Sequence, residues 1–136
     1  MIKLYTDAAS VAIHPKMKQQ PSGAGILVVQ NGHQYPFKQK VTAVDNHEAE
    51  FQAAIIGFQT AKTMATSDET VMFFTDSRLV ADAVGKGVTK HYPVLTDELL
   101  ALQDSFALVV TQWVPDHQNM GAHRLALQAL HQQGQA

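Results

Sequence analysis

A mixed five-stranded α/β sheet with helices on both faces is the fold class this sequence predicts, and three observations predict it. Two apolar runs, 2–7 and 71–76, each end in Thr-Asp. The second is almost continuously apolar, as a strand covered on both faces would be. Asn31-Gly32 lies between two further runs and is a strong hairpin signal, because both residues tolerate the positive φ of a type I′ turn. From residue 46 the apolar period changes from that of a strand to that of a helix. Hairpins followed by βαβ crossovers give three antiparallel strands and then two parallel ones in a single sheet.

The elements follow in order. Strand 2–10 opens the chain with apolar/polar alternation, and segment 10–22, with Pro15, Pro21, Lys16 and Lys18 and no period, reads as a loop. Gly23-Ala24-Gly25 leads into strand 26–30, and the hairpin returns through 33–41. In helix 46–65 the residues Phe51, Ala54, Ile55, Phe58, Ala61 and Ala65 form one stripe, with Asp45 or Asn46 able to cap the start. Strand 71–75 precedes a short helix, 77–84, ended by Gly85-Lys86-Gly87. Helix 93–106 carries Leu95, Leu99, Leu102 and Phe106, and strand 107–114 is closed by Pro115. A last helix begins near Asn119 with Ala122, Leu125, Ala126, Ala129 and Leu130 inward, and 132–136 frays. The whole, 1–136, reads as one domain.

Composition narrows the function. With 46% hydrophobic and 16% charged residues among 136, the chain is globular and large enough to bury a core. It has no cysteine, which excludes disulfides and thiolate metal sites. Lys3 and Asp7 interrupt any signal core and no run reaches the length of a membrane span, so a cytoplasmic, monomeric protein without membrane contact is expected. A net charge of -2 argues against a general basic surface for nucleic acid. Any polyanion must be held locally or through metal ions, weakly and with steep salt dependence.

The carboxylates carry the chemistry. Two neighbouring strands that each deliver an Asp place Asp7 and Asp76 at the carboxyl edge of the sheet, where ligands gather in open α/β folds. Taken singly, each also fits a turn or cap. Glu50 flanks the buried stripe in the first turn of its helix and points along the same edge, although a Glu there also complements the helix dipole. Glu48 falls on the solvent side and takes that second role. Three carboxylates without an adjacent Lys or Arg call for a divalent cation, and all-oxygen donors select Mg²⁺ or Mn²⁺. Two such ions about 4 Å apart activate water and stabilise a leaving oxygen in phosphodiester cleavage.

Four segments now carry a resemblance: Tyr5-Thr6-Asp7-Ala8-Ala9, Asn46-His47-Glu48-Ala49-Glu50-Phe51-Gln52-Ala53, Phe74-Thr75-Asp76-Ser77-Arg78-Leu79-Val80, and the run from Trp113 to Ala126. In order and spread over nearly the whole chain, they resemble the four motifs of type 1 ribonuclease H. The resemblance implies the ribonuclease H-like fold and cleavage of the RNA strand of RNA–DNA hybrids with two Mg²⁺ or Mn²⁺ ions. It implies that Asp7 bridges both ions and that Asp76 also ligates. Glu50 would bind one ion and contact a 2′-hydroxyl, the group that distinguishes RNA from DNA. Asn46, Ser77 and Ala8 match substrate-contacting positions, though Ser77 also fits the N-cap of its helix.

The departures are as informative as the matches. The fourth family carboxylate falls in an Asn-x-x-Ala-Asp-x-Leu-Ala pattern, and this chain reads Asn119-Met120-Gly121-Ala122-His123-Arg124-Leu125-Ala126. His123 is expected to act as a substitute ligand or a water-orienting group, favouring Mn²⁺; the competing reading is a decayed site. His117 matches a loop histidine linked in the family to proton transfer or product release, and also fits a plain exposed side chain. The family's short Gly-rich turn is missing from 10–22, and its basic, Trp-rich helix is reduced to Lys86, Lys90 and His91. Trp113, on the last strand, reads as core. Two other functions compete. A 3′–5′ exonuclease of the same fold would carry Asp-x-Glu on the first strand, where this chain has Asp7-Ala8-Ala9. A catalytically weak or silent module that binds hybrid or double-stranded RNA would draw its support from His123 and the altered 10–22 loop.

Overall fold

The computed structural model describes residues 1–11 and 20–132. Its elements are β1 (Ile2–Ser10), β2 (Gln20–Gln30), β3 (His33–Ala43), α1 (Asn46–Met64), β4 (Thr70–Thr75), α2 (Arg78–Lys86), α3 (Pro93–Asp104), β5 (Leu108–Trp113) and α4 (Met120–Gln132). The five strands form one sheet in the order β3-β2-β1-β4-β5. β1 runs antiparallel to β2, and β2 to β3, while β4 is parallel to both β1 and β5. Asn31 and Gly32 both take positive φ, 54° and 77°, as the tight β2–β3 turn requires.

Strand alternation divides the sheet residues between two helical layers. Ile2, Leu4 and Thr6 lie level with Val71, Phe73 and Thr75 of β4, and with Gln30, Val28 and Ile26 of β2. That face packs against α1: a Cβ added at Gly57 would come within 2.5 Å of the Thr6 methyl. Phe51, Phe58, Phe73, Leu4 and Ile26 are completely buried there. Tyr5, Asp7 and Ala9 face the other way, level with Leu27, Gly25 and Gly23, and that face lies beneath α4.

Two expectations about this second face are corrected. Loop reading 10–22 extended too far, because β2 already begins at Gln20; the remainder of that segment, with His14, Lys16 and Lys18, lies outside the described residues. Gly23 and Gly25 do not lead into a strand but sit inside one. A Cβ at Gly25 would stand 2.0 Å from the Ala122 carbonyl oxygen, and one at Gly23 would stand 2.1 Å from that of Ala126. The helix backbone thus rests directly on the strand backbone, so the glycines are packing surface rather than chain breakers. For the same reason α4 buries Ala122, Ala126 and Ala129 fully, while Leu125 and Leu130 are only half-buried.

Smaller boundaries also moved: the helix read as 93–106 ends at Asp104, leaving Phe106 outside it, and the strand read as 107–114 spans Leu108–Trp113. The helix read as 77–84 begins after Ser77, which caps it, and runs through Gly85 to Lys86 before Gly87 ends it in the left-handed region. The tail 132–136 falls outside the described residues from 133 onward. Among the described residues, no helix is long and apolar enough to cross a membrane.

Because the α4 and β2 backbones touch, Gly25→Ala should destabilise the protein by about 3 kcal/mol, the range of severe overpacking. Urea denaturation followed by circular dichroism measures it, with Gly85→Ala, where a Cβ meets nothing within 4 Å, as the near-neutral control.

Candidate active site

The site forms where β1 and β4 part. Their parallel ladder ends with Thr6 level with Thr75, so Asp7 and Asp76 are the next residues on neighbouring strands. β1 continues to Ser10 against β2, whereas the chain after Thr75 turns into α2. Asp7 belongs to the face beneath α4 and Glu50 comes from the helix on the opposite face. They meet because β4 ends at Thr75 and leaves the space beside Asp7 open between the two layers. Ligand oxygens of Asp7, Glu50 and Asp76 all lie within 4.8 Å of one another.

Each carboxylate is positioned by local structure. Asp45 caps α1 by accepting the Glu48 N–H at 2.8 Å, and its other oxygen accepts the Tyr92 hydroxyl at 2.7 Å. This fixes the first turn of α1 and hence Glu50, which is buried beside the fully buried Phe51. Asp7 accepts the Ala8 N–H at 2.9 Å through Oδ1. Asp76 is held through its main chain: its carbonyl accepts the Trp113 indole N–H at 3.0 Å, and the Arg78 guanidinium lies 3.9 Å over that ring.

Crowding shifts their ionisation. Burial, and then the charges of Asp7 and Asp76, hold the Glu50 carboxyl well above its ordinary range, and a hydrogen bond from Asn46 opposes this only in part. Asp76 is pushed up to about 6 by burial, then by the charges of Asp7 and Asp116, with a hydrogen bond from Asn119 working the other way. Among the described residues no Lys or Arg pairs with the cluster; the basic group that reaches it is the His123 ring, 2.9 Å from Asp7. Three convergent carboxylates without a Lys or Arg partner, two of them with raised pKa, fit a hard divalent cation.

The remaining residues singled out in the sequence take varied positions. His123 joins the site, its Nδ1 2.9 Å from Asp7 Oδ2. His117 is exposed on a short 3-10 turn, Asp116–Gln118, and is not one of the groups gathered there. Asn46 is exposed, reaches Glu50 and accepts the Ser10 hydroxyl at 3.2 Å. Ser77 accepts the Val80 N–H at 3.1 Å as an N-cap. Ala8 is buried and its N–H is taken by Asp7.

Three residues support the site without having been assigned to it. Asn119 is buried and donates to the Thr6 carbonyl at 2.9 Å while also meeting Asp76, tying the start of α4 to both strands. The sequence marks it only as the start of the last helix and part of the fourth motif. Asp116 bears on Asp76 by charge. Trp113 is half-buried and hydrogen-bonded to Asp76 rather than simply core.

Fold and site together define a ribonuclease H-like protein, and comparison with known proteins agrees. A family described as reverse transcriptase-like matches residues 9–129, and this chain belongs to it. EbsB of Enterococcus faecalis, named as a candidate hydrolase, is 31% identical over 132 residues, covering 96% of this chain and 94% of that protein. RNase H1 of the halophilic archaeon Halobacterium salinarum superposes with a TM-score of 0.83 at 22% identity, over 96% of this chain and 98% of that one. The N-terminal RNase H domain of a Mycobacterium tuberculosis protein gives 0.82 at 25% identity, over 98% and 96%. LC11-RNase H1, solved in complex with an RNA/DNA hybrid, gives 0.82 at 18%, over 97% and 98%.

The raised Asp76 pKa has a stability consequence. A carboxyl that binds its proton more tightly when folded loses stability on ionising, so stability falls as pH rises from its ordinary 3.8 through about 6. In a chelator, wild type should therefore lose stability relative to Asp76→Asn between pH 4 and pH 7. The loss should be about 1 kcal/mol once screening of this half-buried group is allowed for. Thermal melts of both proteins at the two pH values give the difference.

Proposed function

We propose that this protein is a metal-dependent endoribonuclease that cleaves the RNA strand of RNA–DNA hybrids. The observation that carries the reading is the convergence of Asp7, Glu50 and Asp76 oxygens within 4.8 Å at the edge of a ribonuclease H-like sheet. The family match and the likeness to RNase H1 structures, one of them in complex with a hybrid, support it.

In this reading Asp7, Glu50 and Asp76 would hold two Mg²⁺ or Mn²⁺ ions, which would supply Lewis acidity for activating water and stabilising the leaving oxygen. The protein's own contribution is placement. Asp7, at the fork between β1 and β4, lies within reach of both Glu50 and Asp76 and would be shared between the ions. Glu50, on the helix side, can accept a hydrogen bond from a ribose 2′-hydroxyl, giving RNA over DNA. Asn46 and the backbone around Ala8 and Ser77 border the place where the RNA strand would lie. His117, exposed on the Asp116–Gln118 turn, is assigned to proton transfer or product release.

A second reading, a weak or silent module that binds hybrid or double-stranded RNA, is favoured by one observation, the histidine at position 123. A cleavage assay separates the two. With labelled hybrid and Mn²⁺ or Mg²⁺, wild type should cut the RNA strand and spare the DNA strand. Asp7→Asn should lower the rate at least about 100-fold while leaving hybrid binding within a few fold. Hybrid binding without metal-dependent product from wild type supports the silent module. Neither binding nor cleavage removes both readings.

A further inference from the structure

Behind the carboxylates, on the α4 side of the sheet, lies a cleft of about 380 Å³ whose walls include Tyr5 and Arg124. Tyr5 stands two residues before Asp7 on β1 and faces the same way, about 7 Å along the strand. Its ring is braced by Phe74, with centroids 4.7 Å apart and planes 15° apart, so one wall is a fixed aromatic surface. Leu27 and Val29 of β2 supply apolar sides. Gln34, Gln118 and Asn119 add amides, each a group that both donates and accepts hydrogen bonds. Arg124 brings the charge. No carboxylate lines the cleft, although the chain carries 12 acidic against 10 basic residues, so an anion meets less repulsion here than over most of the surface.

These features suit one unpaired nucleotide. A base stacks on a rigid ring whatever its identity, amides meet its edge, and a guanidinium takes the phosphate. The cleft also continues the carboxylate edge. Asn119 donates to the Thr6 carbonyl at 2.9 Å and meets Asp76, and Arg124 follows His123, which reaches Asp7. We infer that this cleft binds a single unpaired nucleotide of the strand that crosses the carboxylates, with Tyr5 against the base and Arg124 on the phosphate. The preferred substrate is then a hybrid that carries a single-stranded extension. The inference rests on the nuclease reading above and adds a subsite to it.

Short poly(A) and poly(U) oligoribonucleotides, titrated into the full chain in EDTA and followed by amide NMR shifts, test this. Both should shift Tyr5, Leu27, Gly121 and Arg124, with similar affinities. Tyr5→Leu should weaken binding at least about 5-fold. Arg124→Gln should weaken it too, and lower the slope of log affinity against log salt by about 0.7. Thermal melts establish that each variant is folded, and Arg124, exposed on α4, is the one whose loss the fold tolerates best. With metal present, wild type should cut a hybrid bearing single-stranded RNA extensions faster than a blunt one, and Arg124→Gln should shrink that ratio. Shifts confined to residues outside the cleft, affinity unchanged in Arg124→Gln, or equal rates on the two hybrids would overturn the inference and leave the nuclease reading standing. Shifts at the cleft without cleavage of either hybrid would overturn the nuclease reading and leave the cleft a nucleotide site.

Discussion

Electrostatic repulsion among Asp7, Glu50 and Asp76 is the constraint around which the rest of this structure is arranged. Like charges brought within 4.8 Å in a partly desolvated pocket oppose the compact state, and the raised pKa values of Glu50 and Asp76 register that opposition. The fold holds them there through groups that contribute no neutralising charge to the cluster. Asp45 and Tyr92 fix the start of α1, Trp113 holds the Asp76 main chain, and Asn119 ties Thr6 to α4. Packing energy stored elsewhere in the domain keeps the acidic groups poised for a cation.

The second layer serves the same end by a different route. Gly23 and Gly25 let α4 lie against the β2 backbone, and this close approach brings the first turn of the helix over β1. Asn119 and His123 reach Thr6 and Asp7 only because the helix sits so low. A larger residue at either glycine would lift the helix and withdraw both contacts. Packing on one side of the sheet is thus coupled to the chemistry at its edge.

Much of this was legible from the chain itself. Thr6-Asp7 and Thr75-Asp76 announced two parallel strands ending together, and the stripe from Phe51 to Ala61 placed Glu50 on the helix facing them. Those signals are local and periodic, so they survive without coordinates. The function of Gly23 and Gly25 was not legible, because a glycine in an apolar strand looks the same whether it bends the chain or admits a helix. Asn119 was hidden for a similar reason. It stood in the sequence only as the start of the last helix, and its bond to Thr6 crosses 113 positions in sequence. Trp113 was read as core because an indole on a strand usually is, whereas its N–H is spent on the Asp76 carbonyl.

The central claim is that the three carboxylates exist to hold divalent cations, and the most direct measurement is anomalous diffraction from a crystal soaked in Mn²⁺. Manganese peaks at ligand distance, about 2.0–2.3 Å, from oxygens of Asp7, Glu50 and Asp76 are the predicted result. Manganese bound only elsewhere, for example beside Asp68 and Glu69 at the opposite end of the sheet, with the three carboxylates hydrogen-bonded to one another, would contradict it.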